Sequence, residues 1–578
     1  MKNWLFTRFR TASALVAVGI IAAMLPVAAA DNDSASPDGA GSKTKPAATS
    51  NATVSNDDLA QMKAQLAAQQ KQIEQLRQAL EQQQKLLNGI APVPADDKNG
   101  GISRPNLPKL GEVASTAPMI PPGPAPAPVA NPLPPQTPEN AAPSPLQLKI
   151  GDSYLTPVGF VDLTYVGRST NIGSGIGTNF SATPYNNVPQ GRIAENTISM
   201  QNSRIGARFD SIFHNTRLLA YWESDFLGAA PANQEVSTNS DTFRLRLIWL
   251  DARIGKWEFL GGQSWSLMTP GRNGISPLPS DLLYTQNMDT NYQIGLTWAR
   301  DPGFRIVWHP TDTVAWALAF ENPQQYIGGS SGAPVVTLPS NLVGPYTNLF
   351  NNGNTTTSTP NVAPDIITKL AFDPKVGDKH VHLEIGGENH VFRVYDSLNT
   401  QRYTSDGASV FLNTNLELFK GFHLIENFFY GNGGGRWLFG TIPDLIVNGN
   451  GSIAQIRAGS TLDGFEWQTN PKLILFGYYG GAYGQRAIAI DSTNAKQVGY
   501  GFTGSANSNN RTIQEGTLGA NWTLWKDPKY GALQMIFQYS YLWREPWYVA
   551  ANSPRQAHSN MLWVDLCYLL PGQPPNLH

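Results

Sequence analysis

The segment TFRLRLIWLDARIG, residues 242–255, alternates like a β-strand but places Arg244 and Arg246 within a run of Phe, Leu, Ile and Trp. Two unpaired guanidinium groups in the core of a soluble protein would be very costly. A strand with apolar side chains on one face and charged ones on the other is typical of a sheet with lipid on one side and water on the other. The segment therefore predicts a membrane-facing β-sheet, with both arginines on its water side.

Strict alternation meets a difficulty at the end of this strand. It turns Leu245, Leu247 and Trp249 towards lipid, but it turns Asp251 and Arg253 the same way. Either the strand leaves the membrane at the following Gly-Lys turn, or a β-bulge shifts its register. Because that turn begins only two residues beyond Arg253, the sequence favours the exit from the membrane over the bulge.

The composition narrows the class of protein. Charged residues make up 15% of the 578 residues, well below the roughly 25% of ordinary soluble domains. The formal net charge of −2 gives no indication of a nucleic-acid partner, and we expect none. The single cysteine, Cys567, excludes an intrachain disulfide framework.

Four segments precede the β-rich part of the chain. Residues 1–30 have the basic start, short apolar run and small residues of a secretory signal peptide, with an uncleaved anchor helix as the alternative. Residues 31–56 are polar and predicted to be flexible. Residues 57–89 carry an apolar position every seven residues, which predicts an oligomerising coiled coil rather than a lone solvated helix. Residues 90–147 are rich in Pro and Ala and predict an extended linker.

Residues 148–578 consist of short alternating segments separated by Gly, Asn, Ser, Thr and Pro clusters. Tight turns and long loops alternate between them, as in a transmembrane barrel with turns on one side of the membrane and loops on the other. We predict an all-β fold, a 16-stranded antiparallel transmembrane β-barrel preceded by the α-helical coiled coil and the Pro-rich linker. A soluble β-sandwich or β-propeller is the alternative. The predicted strands are 155–166, 196–209, 217–227, 242–254, 257–265, 304–309, 313–321, 366–373, 379–395, 408–419, 422–430, 456–468, 472–483, 512–525, 531–543 and 560–570.

Charged side chains collect on the face that such a barrel would turn inward. The segment NSRIGARFD, residues 202–210, places two arginines on one face, and the next two strands add acidic and basic groups. Opposed charges across a narrow pore would create a transverse field that selects solutes. The alternative is that these groups only neutralise one another along the wall. The candidates are the basic Arg204, Arg208, Arg244 and Arg246 and the acidic Glu223 and Asp225.

Two of the predicted loops bear on the later argument. The loop 266–303 is too long for a simple connection, and long loops of this kind are commonly functional. We expect it to fold into the barrel as a constriction, with Trp265 at its base and Arg272 and Asp281 as its charged residues. A second long loop is predicted at 396–407.

No constellation in the sequence predicts catalysis. The phosphate-binding loop and the zinc signature are absent from the sequence. Glu223 and Asp225 lie on one strand and do not give the opposed carboxylates of a glycosidase. His380 and His382 share a strand face, but two histidines without a third ligand more often line a polar surface than bind a metal. We therefore expect no enzyme activity, no cofactor and no metal.

The chain resembles the DcaP-like outer-membrane porins. The resemblance rests on NSRIGARFD (202–210), YWESDFLG (221–228), FRLRLIWLDARIGKWEFLGGQSWS (243–266), AFENP (319–323) and FGYYGGAY (476–483). It implies a trimer with an N-terminal coiled-coil extension, passive diffusion of small solutes, and a preference for small anions such as dicarboxylates. By position, it assigns the basic wall to the four arginines and the acidic side to Glu223 and Asp225.

We therefore expect an outer-membrane porin of a Gram-negative-type cell, with its coiled coil in the periplasm. The expected partners are its own copies in a homotrimer, outer-membrane lipid, and small anionic or polar solutes. Whether the coiled coil also binds peptidoglycan is left open by the sequence. The alternatives are a sugar-selective outer-membrane channel and a secreted β-sandwich or propeller that binds polysaccharide.

Overall fold

The computed structural model describes residues 145–229, 242–276, 282–286, 292–346, 348–352 and 359–571. The predicted signal peptide, flexible segment and coiled coil, and nearly all of the linker, lie outside the described residues. Within the described ranges, no helix is long and apolar enough to span a lipid bilayer.

The described β-rich part of the chain forms a closed antiparallel barrel of sixteen strands, β1 to β16. Each strand pairs with its neighbours in the chain, and β16 pairs with β1 to close the ring. The strand β2 consists of two stretches that both pair with β1. The bounds are Ser153–Arg168 (β1), Glu195–Ser199 with Arg204–Phe213 (β2), Thr216–Asp225 (β3), Arg244–Ile254 (β4), Trp257–Trp265 (β5), Arg300–Thr311 (β6), Val314–Glu321 (β7), Asp365–Phe372 (β8), Val381–Asp396 (β9), Gln401–Phe419 (β10), Phe422–Asn432 (β11), Arg457–Asn470 (β12), Leu473–Gly484 (β13), Asn510–Asp527 (β14), Gly531–Pro546 (β15) and Ala557–Leu569 (β16).

Several short strands and helical turns lie outside the sixteen barrel strands. The short strand Leu148–Ile150 pairs with the start of β1. Two small hairpins lie in the long loops, Leu445–Val447 with Ile453–Gln455 and Ala487–Ile490 with Gln497–Tyr500. The helical turns are Phe180–Ala182, Pro189–Arg192, Ser330–Gly332 and Gly435–Trp437, with one four-residue α-helix, Val343–Tyr346.

The sixteen predicted strands correspond one to one with the observed ones, and the closed ring excludes the β-sandwich and β-propeller alternatives. The long loop predicted at 396–407 is wrong. There β9 continues to Asp396 and β10 begins at Gln401, so only four residues connect them. The segment QRYTSDG is polar on both faces, which resembles a loop in sequence. Outside the hydrocarbon layer, however, a strand needs no apolar face.

The outer surface of the barrel carries the apolar side chains. Exposed residues on it include Val161, Leu163, Ile205, Leu412 and Leu562. Near the short-turn end, the exposed Trp257 and Trp308 stack with ring centroids 6.0 Å apart, as expected for an aromatic girdle at a membrane interface. An apolar belt with flanking aromatic rings matches a surface that is solvated by lipid.

A β-bulge in β4 decides which side chains face inward. Glu223 pairs with Leu247 and Ser224 with Leu245, which leaves Arg246 as an extra residue in the ladder. Before the bulge Leu245 is 46% exposed on the outer face; after it Leu247 is fully buried and Ile248 is 49% exposed. The side-chain alternation is therefore inverted beyond Arg246.

This bulge corrects the sequence prediction for the strand. Leu247 and Trp249 do not face lipid; Trp249 lies inside, stacked on Tyr221 with ring centroids 5.5 Å apart. Asp251 is also buried, so the inner face receives the charge that strict alternation had assigned to lipid. The β-bulge, which the sequence treated as the less favoured alternative, therefore accounts for the inward position of Asp251.

The corrected register predicts a depth-dependent cost for charge on the outer face of β4. Ile248→Arg should lower the free energy of unfolding by about 2–4 kcal/mol, because position 248 faces hydrocarbon near the middle of the strand. Ile254→Arg, at the turn, is the matched control and should cost at most about 1 kcal/mol. Equilibrium unfolding in urea with phospholipid vesicles measures both. An unaffected Ile248→Arg variant would show that this position faces the lumen instead.

Candidate channel wall and inward loop

Two arginines of β4 lie against two carboxylates of β3 on the inner face of the barrel. Arg246 donates from Nε to Glu223 Oε1 at 2.6 Å and from Nη1 to Asp225 Oδ2 at 2.8 Å. Arg244 forms a two-pronged contact with Asp225, at 3.0 Å to Oδ1 and 2.7 Å to Oδ2. Planar guanidinium–carboxylate pairs of this kind combine charge with fixed geometry. They explain how a buried Arg246 is tolerated in this strand.

The two arginines of β2 complete the group. Arg204 Nη1 lies 3.9 Å from Glu223 Oε1, and its guanidinium lies 5.1 Å from the centre of the Phe160 ring. Arg208 donates to both oxygens of Asp210, at 2.8 and 2.7 Å. The structure therefore brings all six predicted wall residues together on the inner face of β2–β4, and each arginine has a carboxylate within 4 Å.

In two of the ion pairs, Arg244–Asp225 and Arg272–Glu466, the arginine is more exposed than its carboxylate partner. The side chain of Arg244 is 32% exposed, whereas that of its partner Asp225 is 1% exposed. Arg272, which pairs with Glu466, is 26% exposed and its partner 5%. In these two pairs a solute inside the barrel therefore meets the guanidinium end more than the carboxylate end. In the Arg208–Asp210 pair the order is reversed, with side chains 1% and 18% exposed.

The loop between β5 and β6 folds into the barrel and reaches the opposite wall. Its Arg272 donates to both oxygens of Glu466 on β12, at 2.6 and 2.7 Å. Further along, the Thr297 amide donates to Asn427 Oδ1 on β11 at 3.1 Å. A side chain at Gly480 on β13 would overlap the Ile294 carbonyl, so this glycine allows the loop backbone to approach the wall.

The structure describes two of the three residues predicted for the constriction, and these two lie at different points of the inward loop. Trp265 ends β5 and packs edge-on against Trp298 of the same loop, with ring centroids 5.2 Å apart. Arg272 lies in the loop where it contacts β12. Asp281 lies outside the described residues. The inward path of the loop matches the expectation, and its role as the constriction is a proposal.

An apolar core inside the barrel was not predicted. Tyr292 and Trp298 of the inward loop pack against Phe439 of the loop 433–456, with ring centroids 4.4 and 5.1 Å away. The two loops also share a hydrogen bond, from the Trp298 amide to the Trp437 carbonyl at 2.9 Å. The segment WLFGTIPDLIV, residues 437–447, is almost entirely buried here. The sequence signal that could have predicted this core is the high apolar content of the segment, which lies within a predicted loop.

Among the loop residues with shifted pKa values, Arg272 and Asp444 bear on the contacts described above. Burial opposes charge on the Arg272 guanidinium, but the Glu466 carboxylate outweighs it and holds the pKa of Arg272 above its usual value. Burial raises the pKa of Asp444 in the loop 433–456 to about 7, against the opposing charges of His390 and Arg436. The loop contact with β12 is thus a persistent ion pair, whereas Asp444 binds a proton more readily than an exposed aspartate.

No family model and no curated protein matches the sequence. Among solved structures, the outer membrane channel DcaP of Acinetobacter baumannii is 16% identical and aligns over 73% of this chain and 98% of its own, with a TM-score of 0.51. The chain is similar to DcaP in fold. The anion-selective porin from Comamonas acidovorans is 9% identical, over 72% of this chain and 99% of its own, with a TM-score of 0.40. OmpT of Vibrio cholerae is 10% identical over 73% and 99%, with a TM-score of 0.38.

The similarity to DcaP agrees with the resemblance recognised in the sequence, at the level of the barrel fold. It spans nearly the whole of the DcaP chain and about three quarters of this one. At this identity, however, it does not transfer the role of any residue.

The buried ion pairs predict unequal effects for the two arginines of β4. Arg246→Ala should lower the free energy of unfolding by about 3–5 kcal/mol, because it leaves Glu223 and Asp225 buried with reduced compensation. Arg244→Ala removes a partly exposed partner and should cost about 1 kcal/mol or less. Urea unfolding in vesicles measures both variants, and equal losses would contradict the difference in burial.

The inward path of the loop predicts a specific crosslink. In a Thr297→Cys, Asn427→Cys variant the two side chains are in contact, so mild oxidation should form a disulfide. A thiol-reactive polyethylene glycol then reports the loss of two free thiols on a denaturing gel. Thr297→Cys with Phe428→Cys is the matched control, because Phe428 is exposed on the outer face. Efficient crosslinking of the control pair would contradict the inward position.

Proposed function

We propose that the protein is an outer-membrane porin, a passive diffusion channel for small hydrophilic solutes with a preference for small anions such as dicarboxylates. The closed barrel, with its apolar outer belt and charged inner face, supports a membrane channel. The loop held inside the barrel supports a narrowed passage, since such loops set the pore width.

The observation that carries the anion preference is the unequal exposure within two ion pairs, Arg244–Asp225 and Arg272–Glu466. Arg244 and Arg272 keep about a third and a quarter of their side chains exposed, while Asp225 and Glu466 are almost completely buried. In a water-filled passage with low-dielectric walls, the accessible charge sets the local potential more than the total charge does. Ion pairing along the wall is therefore compatible with a local potential that favours anions.

The proposal also includes assembly and location. We place the barrel in the outer membrane as a homotrimer, with the heptad segment 57–89 as a periplasmic coiled coil. The proposed partners are other copies of the chain, the surrounding lipid, and small anionic or polar solutes. Binding of the coiled coil to peptidoglycan is a separate hypothesis that a pull-down with purified sacculi would test.

The sugar-channel alternative requires ring faces on which a saccharide can stack. The aromatic side chains gathered within the barrel, Tyr292, Trp298 and Phe439, pack against one another, and the first two are buried. This cluster therefore stabilises the inward loops instead of lining a stacking track. Block of the ion current by maltose or a related oligosaccharide would favour the alternative.

Charge selectivity tests the proposal directly. The reversal potential of the purified protein in a planar bilayer, under a KCl gradient, should show anion preference. Arg244→Gln should lower the chloride-to-potassium permeability ratio by roughly two- to fivefold, because one charge a few Å from an ion in water contributes up to about 1 kcal/mol.

Lys420→Gln provides the matched control, because it removes the same charge from an exposed turn outside the lumen and should leave the ratio unchanged. Cation selectivity of the unmodified protein would overturn the anion preference. A protein that is recovered from cells without detergent would overturn the porin proposal itself.

A further inference from the structure

Three potential ligand side chains converge on the inner wall where β8 begins. Asp365 is the first residue of β8, and Glu388 and His390 lie two apart on the neighbouring strand β9. One ligand atom from each lies within 4.8 Å of the other two. All three residues are buried, with side chains at most 1% exposed. The arrangement is a compact donor set of one imidazole and two carboxylates.

Few of the groups around the buried Glu388 carboxylate offset its negative charge. Neither of its oxygens accepts a hydrogen bond of ordinary geometry from the described residues. Ser409, its cross-strand neighbour on β10, offers it a neutral hydroxyl. His390 lies 3.8 Å from Glu388 through Nδ1, but the same nitrogen is in closer contact with Asp365 Oδ1. A buried carboxylate in this condition is costly unless a cation or a proton neutralises it.

The only guanidinium that contacts this group among the described residues is already engaged elsewhere. Arg436 donates to Asp365 Oδ2 and also lies 3.4 Å from Asp301 Oδ2. Asp365 Oδ1 remains on the other side of the carboxylate, in contact with His390 Nδ1. One arginine therefore faces Asp301, Asp365 and Glu388, which leaves negative charge that a neutral imidazole cannot offset.

We propose that Asp365, Glu388 and His390 bind a divalent transition-metal ion, with Zn²⁺ as the probe of choice. Mixed imidazole and carboxylate ligands suit zinc better than the all-oxygen sets of calcium and magnesium. Asp365 binds through Oδ1 and keeps Oδ2 for Arg436, which acts as an outer-shell partner. The two charges of the ion neutralise the excess carboxylate charge that the protein leaves uncompensated.

The position of the site gives it a structural consequence. Asp365 follows the long loop 322–364, and Arg436 belongs to the loop 433–456 that packs inside the barrel. A metal at this point joins the end of one loop to β9 and, through Arg436, to the other loop. It thereby stabilises the wall beside the apolar core formed by the inward loops.

Zinc titration of the full-length protein in detergent, after removal of metals with EDTA, tests the proposal. Isothermal calorimetry should show one Zn²⁺ bound per chain. Glu388→Gln and His390→Gln should each weaken binding by tenfold or more, at least as much as the loss of an outer-shell partner, roughly 10–100-fold. Heat-modifiable mobility on a gel establishes that each variant is folded.

His309→Gln is the matched control, since it removes another imidazole that lies 3.1 Å from a carboxylate, Glu258, and should leave the titration unchanged. Absence of zinc binding to the unmodified protein would overturn the site and identify the cluster as a protonated-histidine ion pair. Binding that persists in both ligand variants would place the metal elsewhere and equally overturn the proposal. Because transport is not measured, either result leaves the porin proposal unaffected.

Discussion

The need to satisfy every backbone hydrogen bond within hydrocarbon determines this structure. Lipid offers no donor or acceptor to a free strand edge, so a membrane sheet must close on itself. Here the closure is the pairing of β16 with β1, from Phe160 opposite Leu569 to Arg168 opposite Met561. Once the ring is closed, side chains alternate between lipid and interior, and the inner face becomes available to charged residues.

Within that constraint, one extra residue in β4 organises the charged wall. The bulge at Arg246 directs both Arg246 and Leu247 inward, so the residues beyond it exchange faces. Arg244 and Arg246 keep the inner positions that alternation gives them, and Asp251 beyond the bulge is removed from lipid. Without the bulge, strict alternation would turn Asp251 towards lipid.

The sequence predicted features that depend on local pattern. Alternation and the succession of short turns and long loops located all sixteen strands, because lipid imposes the same apolar demand on each of them. It named the bulge as an alternative but could not select it, since Leu245 and Leu247 are equally apolar and only the pairing with Glu223 and Ser224 distinguishes their faces. Nor could it predict the contacts between Arg272 and Glu466, which lie 194 residues apart in the chain.

The same limit applies to charge. A sequence shows which strands carry arginine and acidic residues, but selectivity depends on which member of each pair solvent can reach. Among the ion-paired side chains described above, four arginines of β2 and β4 face the three carboxylates of Asp210, Glu223 and Asp225. Arg244 is more exposed than the Asp225 carboxylate, so the accessible charge of that pair is positive. Asp210 is instead more exposed than Arg208. The polarity of the passage is thus a property of packing depth, which composition alone does not contain.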